Sequence, residues 1–308
     1  MSTMSEIKIV FLGTGSGRPT LRRNCAAVYL QWGGDAALFD CGEGAQMQLM
    51  RASVKTSRLV AICITHAHGD HINGLPGFLG TMGMNGHREP LTLCGPEGIR
   101  RYLRTLAELR ILRPSFAIDA QENRPGVMVD GPGFQIHACR LDHRVPCHGF
   151  LWVEDDRPGR FNLERARELG IPPGPLYGVL QRGGDVTVGE RTFTPEDVLG
   201  PARPGRRIAY ISDTRPSDAV VDFARGADVL IHEATYLHEH HADAVERGHS
   251  TVRETAEIAA RAEVKHLVLT HISSKHGRRR ELLDEARPIF RNTTLAEDLE
   301  ELVLPRET

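Results

Sequence analysis

Apolar and polar positions along the 308-residue chain fall into short runs of two periods. In the first third, EIKIVFLG, CAAVYLQW and DAALFDCG are strand-like, and WGGD between the last two is a hairpin signal. GAQMQLMRA has apolar spacing that suits a short helix, LVAICIT reads as a buried strand, and PEGIRRYLRTLAELRIL as an amphipathic helix entered through proline. The pattern returns later: RIAYIS, DVLIHEA and HLVLT are buried-strand runs, with SDAVVDFARG and TVRETAEIAARAEV as the helical stretches between them. Two such halves predict a layered α/β protein.

Between the halves, residues 154–206 turn to proline, glycine and charge, with FNLERARELG as the one clear helix candidate. A loop of this length inside a compact domain is unusual without a task, so the segment reads as an inserted flexible arm, a binding appendage on a single domain spanning 1–308.

Composition narrows the class. Plentiful glycine (31) and proline (18) with few aromatic residues (6%) suit strands and short turns more than a helical bundle. No run approaches the roughly 20 apolar residues that cross a bilayer, and MSTMSEIKIV lacks a basic segment followed by an apolar run. The expectation is a cytoplasmic protein with no membrane partner. The six cysteines are scattered, mostly in strand-like runs, which predicts buried free thiols. A net charge of −2 supplies no overall attraction for nucleic acid, so such affinity has to come from local basic patches. Only four of the 38 basic residues are lysine, and arginine suits bidentate phosphate contacts.

The strongest chemical signal is Thr65-His66-Ala67-His68-Gly69-Asp70-His71, which begins where the apolar run LVAICI stops. In extended backbone His66 and His68 point to the same side and can share a metal, while a turn at Gly69 lets Asp70 and His71 face a second site. Imidazole nitrogen with carboxylate oxygen suits Zn²⁺ or Mn²⁺, and the lack of cysteine in the cluster argues against a closed structural zinc. His143, Asp213 and His271 each follow a predicted strand, in FQIHACRLD, RIAYIS and HLVLT, where open α/β sheets place their ligand sites. GTGSG lacks the helix and Gly-Lys-Ser/Thr ending of a phosphate loop and reads as a turn near the substrate. Arg278, Arg279 and Arg280 form a basic run that either borders the metals or is simply solvated. His232 is not read as a ligand, and His87, His137, His238, His240 and His241 are read as surface or packing residues.

THAHGDH followed by separate His, Asp and His positions resembles the metallo-β-lactamase superfamily. GTGSGRPTLRRN, LFDCGEGAQ, THAHGDHINGLPGF, GIPPGPLYGVLQRG, ISDT, IHEAT, HSTVRETAEIA and LTHIS, in order over nearly the whole chain, resemble the short form of the ribonuclease Z family of tRNA 3′-processing endonucleases. The resemblance implies an αββα sandwich with an inserted exosite arm, and a homodimer. It implies two Zn²⁺ per subunit, with Mn²⁺ as an alternative: His66, His68 and His143 on one ion, Asp70, His71 and His271 on the other, and Asp213 bridging. Asp70 takes the family's place as proton acceptor, His249 of HST as the residue aiding departure of the 3′ oxygen, and Glu233 of HEAT as its orienting group. The implied reaction removes 3′ trailers from precursor tRNA by two-metal phosphodiester hydrolysis and leaves a 3′ hydroxyl. Pro172-Pro173-Gly174-Pro175 matches the Gly-Pro motif with which the family's arm grips tRNA. The chain departs at Ala45, where GEGTQ is usual, and at Gln181, where the arm often has lysine. Two other readings of the ligands remain: a phosphodiesterase for small or cyclic esters, which has no need of the arm, and a noncatalytic metal-stabilised RNA binder.

Overall fold

The computed structural model describes residues 6–275 and 279–305. Strands β1 (Ile7–Gly13), β2 (Ala27–Trp32), β3 (Asp35–Phe39), β4 (Leu59–Cys63), β5 (Leu91–Gly95) and β6 (Ile118–Glu122) build one sheet, and β7 (Gly126–Gly131), β8 (Phe134–Leu141) and β9 (Cys147–Glu154) begin a second. After a separate short pair, β10 (Val186–Val188) and β11 (Arg191–Phe193), the second sheet is completed by β12 (Arg207–Ile211), β13 (Val229–Glu233), β14 (Leu267–Thr270) and β15 (Thr293–Leu295). β16 (Glu301–Leu304) returns to the edge of the first. The orders are β16-β1-β2-β3-β4-β5-β6 and β15-β14-β13-β12-β9-β8-β7.

Each central strand is apolar on both faces, and the two faces bury differently. Ile7, Ile9 and Phe11 of β1 join Phe134, Ile136, Trp152, Tyr210 and Ile231 in a core shared by the two sheets. Val10 and Leu12, one residue out of phase, pack under Phe78, Leu79 and Met82 of helix Leu75–Met84 and Ile99 and Leu106 of helix Ile99–Glu108. Helices Asp218–Ala224 and Val252–Arg261 pack on strands of the second sheet, which makes the layers αββα. Trp152 lies at the sheet–sheet centre with its ring 5.1 Å from that of Trp32; its truncation to alanine costs about 3–5 kcal/mol.

The WGGD hairpin closes at the Trp32–Asp35 pair, with Gly33 at φ 51°. The helix expected to be entered through Pro96 starts later, at Ile99, because Gly98 turns the chain at φ 85° and precedes the first helical residue. All six cysteines are free thiols, five buried and Cys139 partly so. No helix among the described residues is long and apolar enough to cross a membrane.

Val153–Arg206 forms a compact unit of its own. It holds more structure than the single helix expected: Leu163–Glu168, capped by Asn162, is followed by a second helix, Pro175–Gln181, and by the β10–β11 hairpin. Ala166, Ile171, Leu180, Val186, Phe193 and Val198 make its core. Gly174 sits at φ 137°, a conformation side chains disfavour, and Pro175 then opens the helix at a position where its missing N–H costs nothing. Pro172 to Pro175 are exposed. Of the basic run, Arg278 lies outside the described residues, and Arg280 is exposed beside Asp284.

Candidate metal centre

The sequence pattern places chemistry just beyond strand ends. Asp40 follows β3, His66 follows β4, Asp213 follows β12, Glu233 ends β13, and His271 follows β14. Because β3 runs parallel to β4, and β12 to β13 and β14, the carboxyl ends within each set lie together. In THAHGDH the backbone is extended at His68 and then enters the short helix Gly69–Ile72, which turns Asp70 and His71 in different directions.

All seven expected ligands converge. His66, His68, His143 and Asp213 offer donor atoms within 4.8 Å of one another, and Asp70, His71 and His271 do the same. His66 Nε2 is 2.9 Å from His68 Nδ1, which is 3.4 Å from His143 Nε2. His71 Nε2 is 3.2 Å from His271 Nε2, and Asp70 Oδ2 is 3.4 Å from both. Asp213 stands between the sets: Oδ2 lies 3.6 and 3.7 Å from His66 and His143 Nε2, and Oδ1 lies 3.5 and 3.2 Å from His71 and His271 Nε2.

The outward nitrogens explain which ring atoms face inward. His71 Nδ1 donates to Asp40 Oδ2 at 2.8 Å, His143 Nδ1 to the Gly248 carbonyl at 2.8 Å, and His271 Nδ1 to Thr235 Oγ1 at 3.0 Å. Thr65 Oγ1 lies 3.0 Å from His66 Nδ1. In these four rings Nδ1 is occupied and Nε2 is the nitrogen left facing the cluster, where a cation can take the place of a proton. His68 instead turns its Nδ1 inward. Imidazole lone pairs crowded at these distances, with two carboxylates among them and no cysteine, fit divalent metal of the Zn²⁺ or Mn²⁺ type.

Electrostatics agree with a site built for positive charge. Burial pushes His66 well below the usual imidazole range, and burial with His143 nearby lowers His68. Burial opposes charge on His71, yet Asp213 and Asp40 carry it well above that range. Asp70 and Asp213 both stay ionised far below the usual carboxylate range: burial is outweighed by hydrogen bonds from His271 and His71 to Asp70, and by the His271, His71 and His66 charges around Asp213.

Beside the cluster, Glu233 is fully buried and gathers donors from three segments: Thr214 N–H (3.0 Å), Ser250 N–H (3.1 Å) and Thr235 Oγ1 (2.5 Å). Its Oε1 is 3.0 Å from His249 Nδ1. Burial works against charge on His249, but Glu233 and then Asp213 raise it to about 9. His232, fully buried, donates from Nδ1 to the Glu233 carbonyl and faces away from this role.

Sequence reasoning missed the residues that hold the ligands. Asp40 accepts from Thr65 N–H (2.8 Å) and Tyr210 Oη (2.8 Å) as well as His71, and Thr235 links His271 to Glu233. Gly17, in the GTGSG turn, donates its N–H to Asp70 Oδ2 at 2.8 Å. Asp40 had a usable signal, since it ends the apolar run DAALF as the ligands end theirs; the threonines and Gly17 had none. Of the other histidines, His87 packs edge-on against Phe116 and His241 pairs with Glu254.

Two family models match: one described as Anti-Pycsar protein Apyc1 over residues 7–109, and one described as Beta-lactamase superfamily domain over residues 190–272. The chain is 43% identical over 300 residues to a ribonuclease Z of Methanosarcina acetivorans, covering 97% of this chain and 98% of that one. It is 46% identical over 274 residues to a ribonuclease Z of Myxococcus xanthus, covering 89% of each. Among solved structures, the short form of human tRNase Z superposes with a TM-score of 0.72 at 30% identity, covering 97% of this chain and 99% of that one.

Proposed function

The chain belongs to the ribonuclease Z family and is a metal-dependent endoribonuclease of tRNA 3′ processing, and from that premise we propose that it removes the 3′ trailer of precursor tRNA with two Zn²⁺ held by the seven converging ligands. His66, His68 and His143 would hold one ion and Asp70, His71 and His271 the other, with Asp213 offering one carboxylate oxygen to each set. The observation that supports this most is the split of Asp213, whose Oδ2 faces one histidine set and whose Oδ1 faces the other. Two such ions, when bound, would lower the pKa of water toward neutral and counter the charge of the scissile phosphate.

The chain's own groups then move the protons. Asp70, fixed by the Gly17 N–H, accepts the proton of the attacking water. His249 carries a proton at neutral pH, and with Nδ1 held by Glu233 its Nε2 is the nitrogen that gives it to the departing 3′ oxygen. The unit Val153–Arg206 serves as the tRNA-binding arm, with its exposed Pro172-Pro173-Gly174-Pro175 segment meeting RNA. The enzyme works as a homodimer, in the cytoplasm with its substrate.

Incubation of the wild-type protein with a 3′-extended precursor tRNA and Zn²⁺ or Mn²⁺ tests this. One cut beside the discriminator base, leaving a 3′ hydroxyl, is expected; no cleavage with either metal overturns the reading.

A further inference from the structure

We propose that Arg215 is a positioning residue for proton delivery by His249, tying together the three loops that carry His143, Asp213 and His249; the proposal rests on the acid role given to His249 above. Arg215 lies two residues beyond Asp213. Its backbone N–H donates to the Asp142 carbonyl at 2.7 Å, and the two residues form an isolated antiparallel bridge. Thr214 Oγ1 accepts the Asp142 N–H at 3.1 Å. The Asp213 loop is thus stitched to the residue before His143.

The side chain reaches the third loop. Arg215 Nη1 donates to the carbonyl of His249, and the guanidinium pairs with Glu254 through Nη2–Oε1 (2.6 Å) and Nη1–Oε2 (3.1 Å). Glu254 is itself fixed. It closes a capping box with Thr251, accepting the Thr251 N–H at 2.9 Å and its hydroxyl at 3.0 Å, at the start of helix Val252–Arg261. The order of support runs from the helix to Glu254, from Glu254 to Arg215, and from Arg215 to the His249 carbonyl.

The planar fork pairs with both Glu254 oxygens while Nη1 also reaches the His249 carbonyl, a bidentate geometry that lysine's single ammonium does not match. The pair is shielded, the Arg215 and Glu254 side chains being 18% and 13% exposed. Glu233 fixes the His249 ring through Nδ1, and Arg215 fixes its backbone from the other side. His241 Nε2 also reaches Glu254, 3.2 Å from its Oε1. No contact joins the Arg215 side chain to a donor atom of the metal cluster among those described, so its influence on the reaction passes through His249.

Arg215→Met and Arg215→Lys, each loaded with Zn²⁺, are assayed beside the wild type and His249→Ala on two precursor tRNAs. One has the ordinary scissile linkage; the other has sulfur in place of the bridging 3′ oxygen, a leaving group that needs no proton. On the oxygen ester Arg215→Met is expected to lose kcat by roughly tenfold to a hundredfold with KM little changed, because small displacements of a catalytic group cost about that much. Arg215→Lys is expected to lose less. On the sulfur ester the deficit of both variants disappears, as does that of His249→Ala. Equal losses on both esters in Arg215→Met and Arg215→Lys, or no loss in either, overturn the Arg215 proposal while a selective His249→Ala leaves the acid role standing. A His249→Ala variant impaired equally on both esters removes the acid role and the Arg215 proposal with it.

Discussion

The carbonyl of Gly248 accepts a hydrogen bond from Nδ1 of His143 at 2.8 Å, so the residue preceding His249, the proposed proton donor, also orients a candidate metal ligand. Gly248 holds φ 72°, and a Cβ there would lie 3.0 Å from His143 Nδ1 and 3.2 Å from Arg144 Cγ. Gly248→Ala is expected to displace His143 and the His249 loop together. Elemental analysis should find less metal per chain than in the wild type, and tRNA cleavage should fall at least about tenfold, in line with the loss of a group that orients a ligand.

The Asp40–His71 bond has the same logic on the other metal position. Asp40→Asn keeps the shape but weakens the acceptor that fixes the His71 ring, and leaves the Thr65 and Tyr210 donors facing an amide. Metal affinity is expected to drop by about 10- to 100-fold, read by competition with a chelating dye.

Glu233 is expected to set the pH range of the acid proposed at His249. His249 is raised to about 9, so its proton is present below that value and lost above it. Glu233→Gln removes the nearest negative charge and lowers the pKa of His249. The alkaline limb of the kcat profile on precursor tRNA should therefore move to lower pH, while the sulfur-linked substrate shows no such shift.

The arm should be removable. Glu154 N–H donates to the Arg206 carbonyl at 2.9 Å, and Arg206 Nη2 and Nε reach the Glu154 carboxylate at 2.7 and 2.8 Å, so the two ends of the insertion already meet. Joining them across a deletion of residues 155–205 is expected to abolish tRNA cleavage while bound metal and hydrolysis of a small phosphodiester persist. Unchanged tRNA cleavage would contradict the arm's role.

The candidate ligands were legible because the THAHGDH cluster, His143, Asp213 and His271 each come just after a predicted strand, and strand ends in such sheets converge. RIAYIS before Asp213 and HLVLT before His271 carry that information locally. Thr65, Thr235 and Gly17 do not: their roles depend on partners that only folding brings near, as when Thr235 meets a histidine 36 residues away. The arm was under-read for another reason. PPGPLYGVLQ looks like loop by composition, yet its Gly-Pro pair launches a helix, and strands of three residues each are too short to show a period. The start at Ile99 was missed because Gly98, not Pro96, sets the entry turn.

Metal stoichiometry measured together with activity bears most directly on the central claim that seven side chains hold a pair of cations around Asp213. Protein stripped by chelation and titrated with Zn²⁺ should regain cleavage of precursor tRNA only as the second equivalent per chain binds. Full-rate cleavage by stripped protein, or full recovery at one equivalent, would contradict it.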